Sequence, residues 1–167
     1  FCLCQRHFGR ICRKGGKLIA EVDQSIKIEA TNAATALAIA DGFGDSVLIP
    51  AAVKRQCLQK LRERDWRGNV IVIRVFSAAL FLLLEPHLHR LDRIIIDTEY
   101  PGHNGQIKSM LINWIRRTQP DYNPANLVFS HVGKRSPAHR KAINITRRRA
   151  KPDRVLRADE ILSLLRK

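Results

Sequence analysis

A chain of 167 residues with 45% hydrophobic side chains is long enough to bury one core and too short to favour a second, so one domain with tails is expected. Its 30 basic and 15 acidic side chains give a formal charge of +15 and a pI near 10.6, an excess that argues against a cationic partner and for a polyanion. The apolar run Val75 to Leu84 lies between Arg74 and Glu85 and falls short of the roughly 18 residues of a membrane span, so no membrane partner is expected.

Cys2, Cys4, His7 and Cys12 are zinc-compatible ligand types without the Cys-x2-Cys spacing of a knuckle, inside an N-terminal segment, 1–16, expected to be disordered or fragmentary. Reduced thiols in a cytoplasmic or nuclear (nucleoid) compartment fit them better than secretion. Residues 17–25 read as a strand ending in polar side chains, Ala33 to Ala40 as a second apolar run closed by Asp41-Gly42, and Ser46 to Ile49 as a third strand. Short turns between them spell an antiparallel meander.

From Ala51 to Asp65 the residues Val53, Cys57, Leu58 and Leu61 recur at helical spacing behind Pro50, with Lys54, Arg55, Lys60 and Arg62 on the other face. Val70 to Leu84 reads either as a strand followed by a helix or as one buried helix: its β-branched start favours the strand, Ala78 to Leu84 the helix. Arg93 to Asp97, a triple isoleucine run ending in a carboxylate, is the clearest buried strand. After the turn at Tyr100-Pro101-Gly102, Gln106 to Arg117 forms a helix with Ile107, Leu111, Trp114 and Ile115 on one side. Leu127 to Val132 is a strand, a helix opens at Pro137, and Asp159 to Leu165 closes the chain as a small helix. This order implies an α/β fold with helices on a mixed sheet, a domain over 17–145, and a basic C-terminal extension with a short helix over 146–167.

The charge is uneven, because residues 101–167 carry 15 basic and 4 acidic side chains, +11 of the chain's +15. Lys134 and Arg135 after Gly133, Arg140, and the run Arg147, Arg148 and Arg149 are the candidate contacts to nucleic-acid phosphates, which bind cations without reading sequence. Asp23 and Asp97 each emerge from apolar strand residues, where a buried carboxylate is costly unless it meets a cation. If their strands are neighbours, the two converge on a site able to hold one or two Mg²⁺ ions, with Mn²⁺ the alternative; a shared centre requires them within about 8 Å, since paired ions sit roughly 3.5–4 Å apart.

The same segments resemble the ribonuclease-H-like superfamily. Val22-Asp23-Gln24-Ser25 looks like its first-strand signature, the meander follows, and Ile95-Ile96-Asp97-Thr98-Glu99-Tyr100 is similar to its fourth strand. The segment Ser130 to Ala142 is similar to its last strand, Gly/His loop and C-terminal helix. The resemblance implies a mixed five-stranded sheet with a three-stranded antiparallel meander and flanking helices. It also implies two-metal hydrolysis of a phosphodiester, with Asp23 and Asp97 as metal ligands and His139 as the last site residue, similar to some Holliday-junction resolvases. The first-helix glutamate of the superfamily has no match, since the helix from Ala51 offers only Glu63 near its far end; Glu85, as a metal ligand, and Glu99, as a catalytic group, are the candidates for that role.

Two functions follow. One is a metal-dependent endonuclease acting on structured DNA or an RNA/DNA hybrid through Asp23, Asp97, Glu99 and His139; a junction substrate would require a homodimer with two-fold-related sites. The other is a non-catalytic basic nucleic-acid-binding module, a ribonucleoprotein or ribosomal component, in which the carboxylates are structural. A restriction-type nuclease is disfavoured, because no Glu-x-Lys follows the Asp at the required place.

Overall fold

The computed structural model describes residues 18–40 and 43–166; the cysteine and histidine cluster of the N-terminal segment lies outside them. In chain order the elements are β1 (Ile19–Ser25), β2 (Thr35–Ala40), β3 (Gly44–Ile49), α1 (Ala51–Arg62), α2 (Asn69–Leu84), β4 (Arg93–Asp97), α3 (Asn104–Ile115), β5 (Leu127–Ser130), α4 (Pro137–Thr146), β6 (Arg154–Val155) and α5 (Ala158–Leu164). The protein is an α/β fold with one mixed six-stranded sheet, ordered β5-β4-β1-β2-β3-β6, and five α-helices among the described residues. β1, β2 and β3 form the expected antiparallel meander, while β4 lies parallel to β1 and β5 parallel to β4.

The ambiguous segment resolves as a single helix, α2, along which every residue from Val75 to Leu84 is buried. Its β-branched start does not decide the matter, because burial of Ile71, Ile73 and the run from Val75 to Leu84 overrides a propensity difference of a few tenths of a kcal/mol per residue. Continued through a 3-10 turn to Arg90, this helix is long and apolar enough by composition to cross a membrane, and 67% of its most apolar window is buried inside the fold. Apolar length alone therefore does not support the sequence-based exclusion of a membrane.

Of the segment 146–167, read as an extension, the described residues, 146–166, are built into the same core. β6 pairs with β3, Leu156 and Ile161 are fully buried, and α5 packs on α1 and α2. The two-residue strand β6 is too short to show as a period in the sequence.

Pairing divides the side chains of the sheet into two faces, since residues directly opposite share a face. Val22, Leu37, Ile39, Val47, Ile49, Ile94 and Ile96 fill one, buried in the main core with α1, α2, α3 and α5. The other carries Ala36, Ala38 and Leu48, against which Ala142 and Ile145 of α4 pack as a separate small cluster. Alanines at the contact let α4 lie close to the sheet, and that proximity builds the site.

Candidate metal centre

The parallel pairing of Val22 with Ile96 puts the next residues, Asp23 and Asp97, side by side on the alanine face. Glu99 joins them through a tight turn in which its N–H donates to the Asp97 carbonyl (3.0 Å), folding the chain back past the end of β4. One oxygen from each of Asp23, Asp97 and Glu99 lies within 4.8 Å of the others, inside the separation a shared centre requires.

Each carboxylate is held by neighbours. Asp23, only 3% exposed, accepts from its neighbour's amide, Gln24 N–H, at Oδ1 (2.6 Å) and from His139 Nδ1 at Oδ2 (2.6 Å). Asp97 Oδ1 accepts from Val132 N–H (2.6 Å), which ties the loop after β5 to the end of β4. The same oxygen has the exposed imidazole of His131 at 3.6 Å. His139 stands in the first turn of α4, whose start is set by Ser136 Oγ accepting from Ala138 N–H (3.2 Å) and by Pro137 at the first helical position.

Electrostatics here are those of anions forced together. Burial, then the charges of Asp97 and Asp23 and hydrogen bonding to Asp97, push the Glu99 carboxyl up to about 8, with Lys27 pulling the other way. Burial also raises Asp23 above the usual carboxylate range, against the hydrogen bonds from His139 and Gln24. Carboxylate oxygens at this spacing are the donor type that hard divalent cations take. With Nδ1 turned to Asp23, Nε2 is the His139 ring nitrogen left for water or a ligand.

The structure thus brings together Asp23, Asp97, Glu99 and His139. Glu85 is not among them: it is exposed at the C-terminal end of α2, in the helical layer on the opposite face of the sheet. Glu63 is exposed and paired with Lys60 (2.9 Å). Comparison with protein-family models, curated proteins and solved structures gives no match.

Around α4 the cations Lys134, Arg135, Arg140, Arg147, Arg148 and Arg149 are all exposed, and none has an ion-pair partner among the described residues. The arginine run is the cap of α4: Arg148 takes a left-handed conformation (φ 58°), and the Arg149 amide donates to the Asn144 carbonyl (2.8 Å). Asp153 fastens the segment after it, accepting from Lys141 (2.8 Å) and from Ser46 Oγ (2.6 Å).

The sequence missed Lys54. Placed on the solvent face of its helix, it is instead fully buried, and its ammonium donates to the carbonyls of Lys27 (3.1 Å) and Ala30 (2.7 Å) and to Thr35 Oγ1 (3.0 Å). Burial lowers its pKa to about 8, so the charged form persists at neutral pH. Three acceptors compensate the desolvation, and helical periodicity carries no trace of them.

Proposed function

We propose that this chain is a metal-dependent endonuclease of the ribonuclease-H-like type, hydrolysing phosphodiester bonds in structured DNA or an RNA/DNA hybrid. The observation that carries the reading is the convergence of Asp23, Asp97 and Glu99 within 4.8 Å on a chain of net charge +15. A basic protein that concentrates three carboxylates at one partly buried point needs a cation there, and the polyanion its surface attracts is what such a cation acts on. The strand order supports the superfamily assignment: an antiparallel β1-β2-β3 meander flanked by parallel β4 and β5 puts Asp23 and Asp97 on neighbouring strands.

Asp23, Asp97 and Glu99 would hold Mg²⁺ or Mn²⁺, which supplies Lewis-acid polarisation of the phosphodiester and neutralises charge as it develops. Asp23 fixes the His139 ring with Nδ1 as donor, leaving Nε2 to accept the proton of the attacking water. The exposed cations of α4 and its cap hold the flanking phosphates and exclude none by sequence.

The test is cleavage of labelled duplex DNA, RNA, RNA/DNA hybrid and branched DNA with Mg²⁺, Mn²⁺ or EDTA. Metal-dependent cleavage that is lost in Asp97→Asn supports the nuclease. Salt-sensitive binding with no cleavage of any substrate would replace it with the non-catalytic binding module.

A further inference from the structure

We propose that Lys27, in the turn after β1, is a phosphate-binding catalytic residue of the same centre, holding a non-bridging oxygen of the scissile phosphate; this rests on the nuclease reading above. Its amine stands 5.4 Å from the centre of the ring of Tyr100, the residue after Glu99. The side chain is exposed and has no ion-pair partner among the described residues, so its charge is free for a ligand.

The turn that carries it is strained and over-determined. Ile26 has φ 65°, a left-handed conformation that a β-branched residue rarely adopts, because its Cβ crowds the following carbonyl oxygen. That conformation is held by Gln24 Nε2 donating to the Ile26 carbonyl (3.1 Å) and by buried Lys54 donating to the Lys27 and Ala30 carbonyls. On the far side the Ile28 amide donates to Tyr100 Oη (3.1 Å), which itself donates to Glu29 (3.2 Å). Fixed at both ends, the turn bends the chain sharply just past Asp23 and presents Lys27 over the ring that adjoins the third carboxylate. Backbone strain of this kind at Ile26 is retained where a side chain must be aimed.

The chemistry asked of Lys27 is a hydrogen bond and a charge. No proton or bond passes through it: the ammonium stabilises negative charge that grows on the phosphate as water attacks, a contribution of about a hundredfold in rate for one well-placed donor.

The experiment compares Lys27→Met and Lys27→Arg with the wild type in two readouts: single-turnover cleavage with Mg²⁺, and binding of the same labelled RNA/DNA hybrid and branched DNA with Ca²⁺ or EDTA. The expected result is a fall in the Lys27→Met cleavage rate of about a hundredfold, substantial recovery in Lys27→Arg, and an unchanged melting temperature, since the main-chain contacts of the turn survive both changes. Wild-type cleavage rates in Lys27→Met, with Asp97→Asn inactive, overturn the assignment and leave the nuclease standing. If the wild type cleaves nothing, the nuclease reading falls and binding decides: an affinity loss in Lys27→Met seen with Ca²⁺ and absent in EDTA keeps Lys27 as a phosphate contact at a metal centre, and equal affinities overturn it.

Discussion

The two faces of the sheet are built from different residues for different ends. One is branched and aliphatic, from Val22 to Ile96, and takes four helices; the other is alanine where it meets a helix, and among the described residues it takes α4 alone. Large side chains on the first face bury the apolar area that stabilises the domain, at about 25 cal/mol per Å². Small ones on the second forgo much of that gain and bring α4 close enough for His139 to reach Asp23. A sheet can carry repelling carboxylates on one face when the other supplies the stability, so changes to the two faces should separate activity from folding.

The largest expected effect is Asp97→Asn. Removing a carboxylate from the centre forfeits several kcal/mol of charge stabilisation, at least about a hundredfold in the Mg²⁺-dependent cleavage rate. Nucleic-acid affinity should hold or rise, because a negative charge leaves a phosphate site. Asp23→Asn should do the same to cleavage and also release His139. Loss of cleavage and binding together would mean that these residues support the fold instead.

Packing sharpens the contrast from the other side. Leu37→Ala removes a fully buried side chain from the aliphatic face and should cost about 2–5 kcal/mol by denaturant unfolding, with the cleavage rate of the folded fraction unchanged. Ala38→Leu, one residue along on the alanine face, wedges α4 from the sheet at a cost of about 1–3 kcal/mol and should slow cleavage by separating His139 from Asp23. Equal activity losses in the two variants would show that the faces are not independent.

What the sequence disclosed follows the same division. β4 and its terminal carboxylate were legible because a triple isoleucine run has one reading, and Asp23 because it follows the apolar residues of the strand that opens the meander. The Pro137 start of α4 was legible from first-turn chemistry. What stayed hidden depends on contacts between distant residues. Lys54 looks like a solvent-facing lysine until the carbonyls of Lys27 and Ala30 are placed over it. Glu85 and Glu99 were equal candidates on sequence order, and only the face of the sheet separates them. The β6 strand and the capping role of Arg148 need partners from elsewhere in the chain.

The metal-free protein should also report its crowded carboxylates through pH. Glu99 is raised by burial and by its neighbours' charges from 4.5 to about 8, and burial raises Asp23 too. A carboxyl that holds its proton more tightly in the folded state contributes stability that is fully present below its ordinary pKa and lost as pH rises through the folded value. For Glu99 the melting temperature should therefore fall between about pH 4.5 and 8. Adding Mg²⁺ at the upper end should restore it, since a shared cation replaces the proton. Asp97→Asn should flatten the same curve. A melting temperature indifferent to both pH and Mg²⁺ would mean that the carboxylates are separately solvated and bind no ion.

The smallest expected effect lies in the arginine cap of α4. Arg147, Arg148 and Arg149 are exposed and the run is ordered by its own hydrogen bonds to the helix end, so its charges keep a fixed position relative to His139 on the same helix. Each phosphate they neutralise releases condensed counterions and adds about −0.9 to the slope of log K against log salt on duplex DNA. Replacing all three with alanine should make that slope shallower by about one to three units and weaken binding evenly across substrates, with the cleavage rate at saturating substrate nearly unchanged. Alanine is strained in the left-handed conformation at Arg148, so the triple variant also loosens the cap. The single change Arg148→Gly isolates charge from geometry, because glycine adopts that conformation freely and keeps the cap while one cation is removed. If Arg148→Gly shifts the slope by about one third of the triple change, the run tracks the phosphate backbone residue by residue. An unchanged slope in the triple variant would move the nucleic-acid path off this end of α4 and onto the cations before it, Lys134, Arg135 and Arg140.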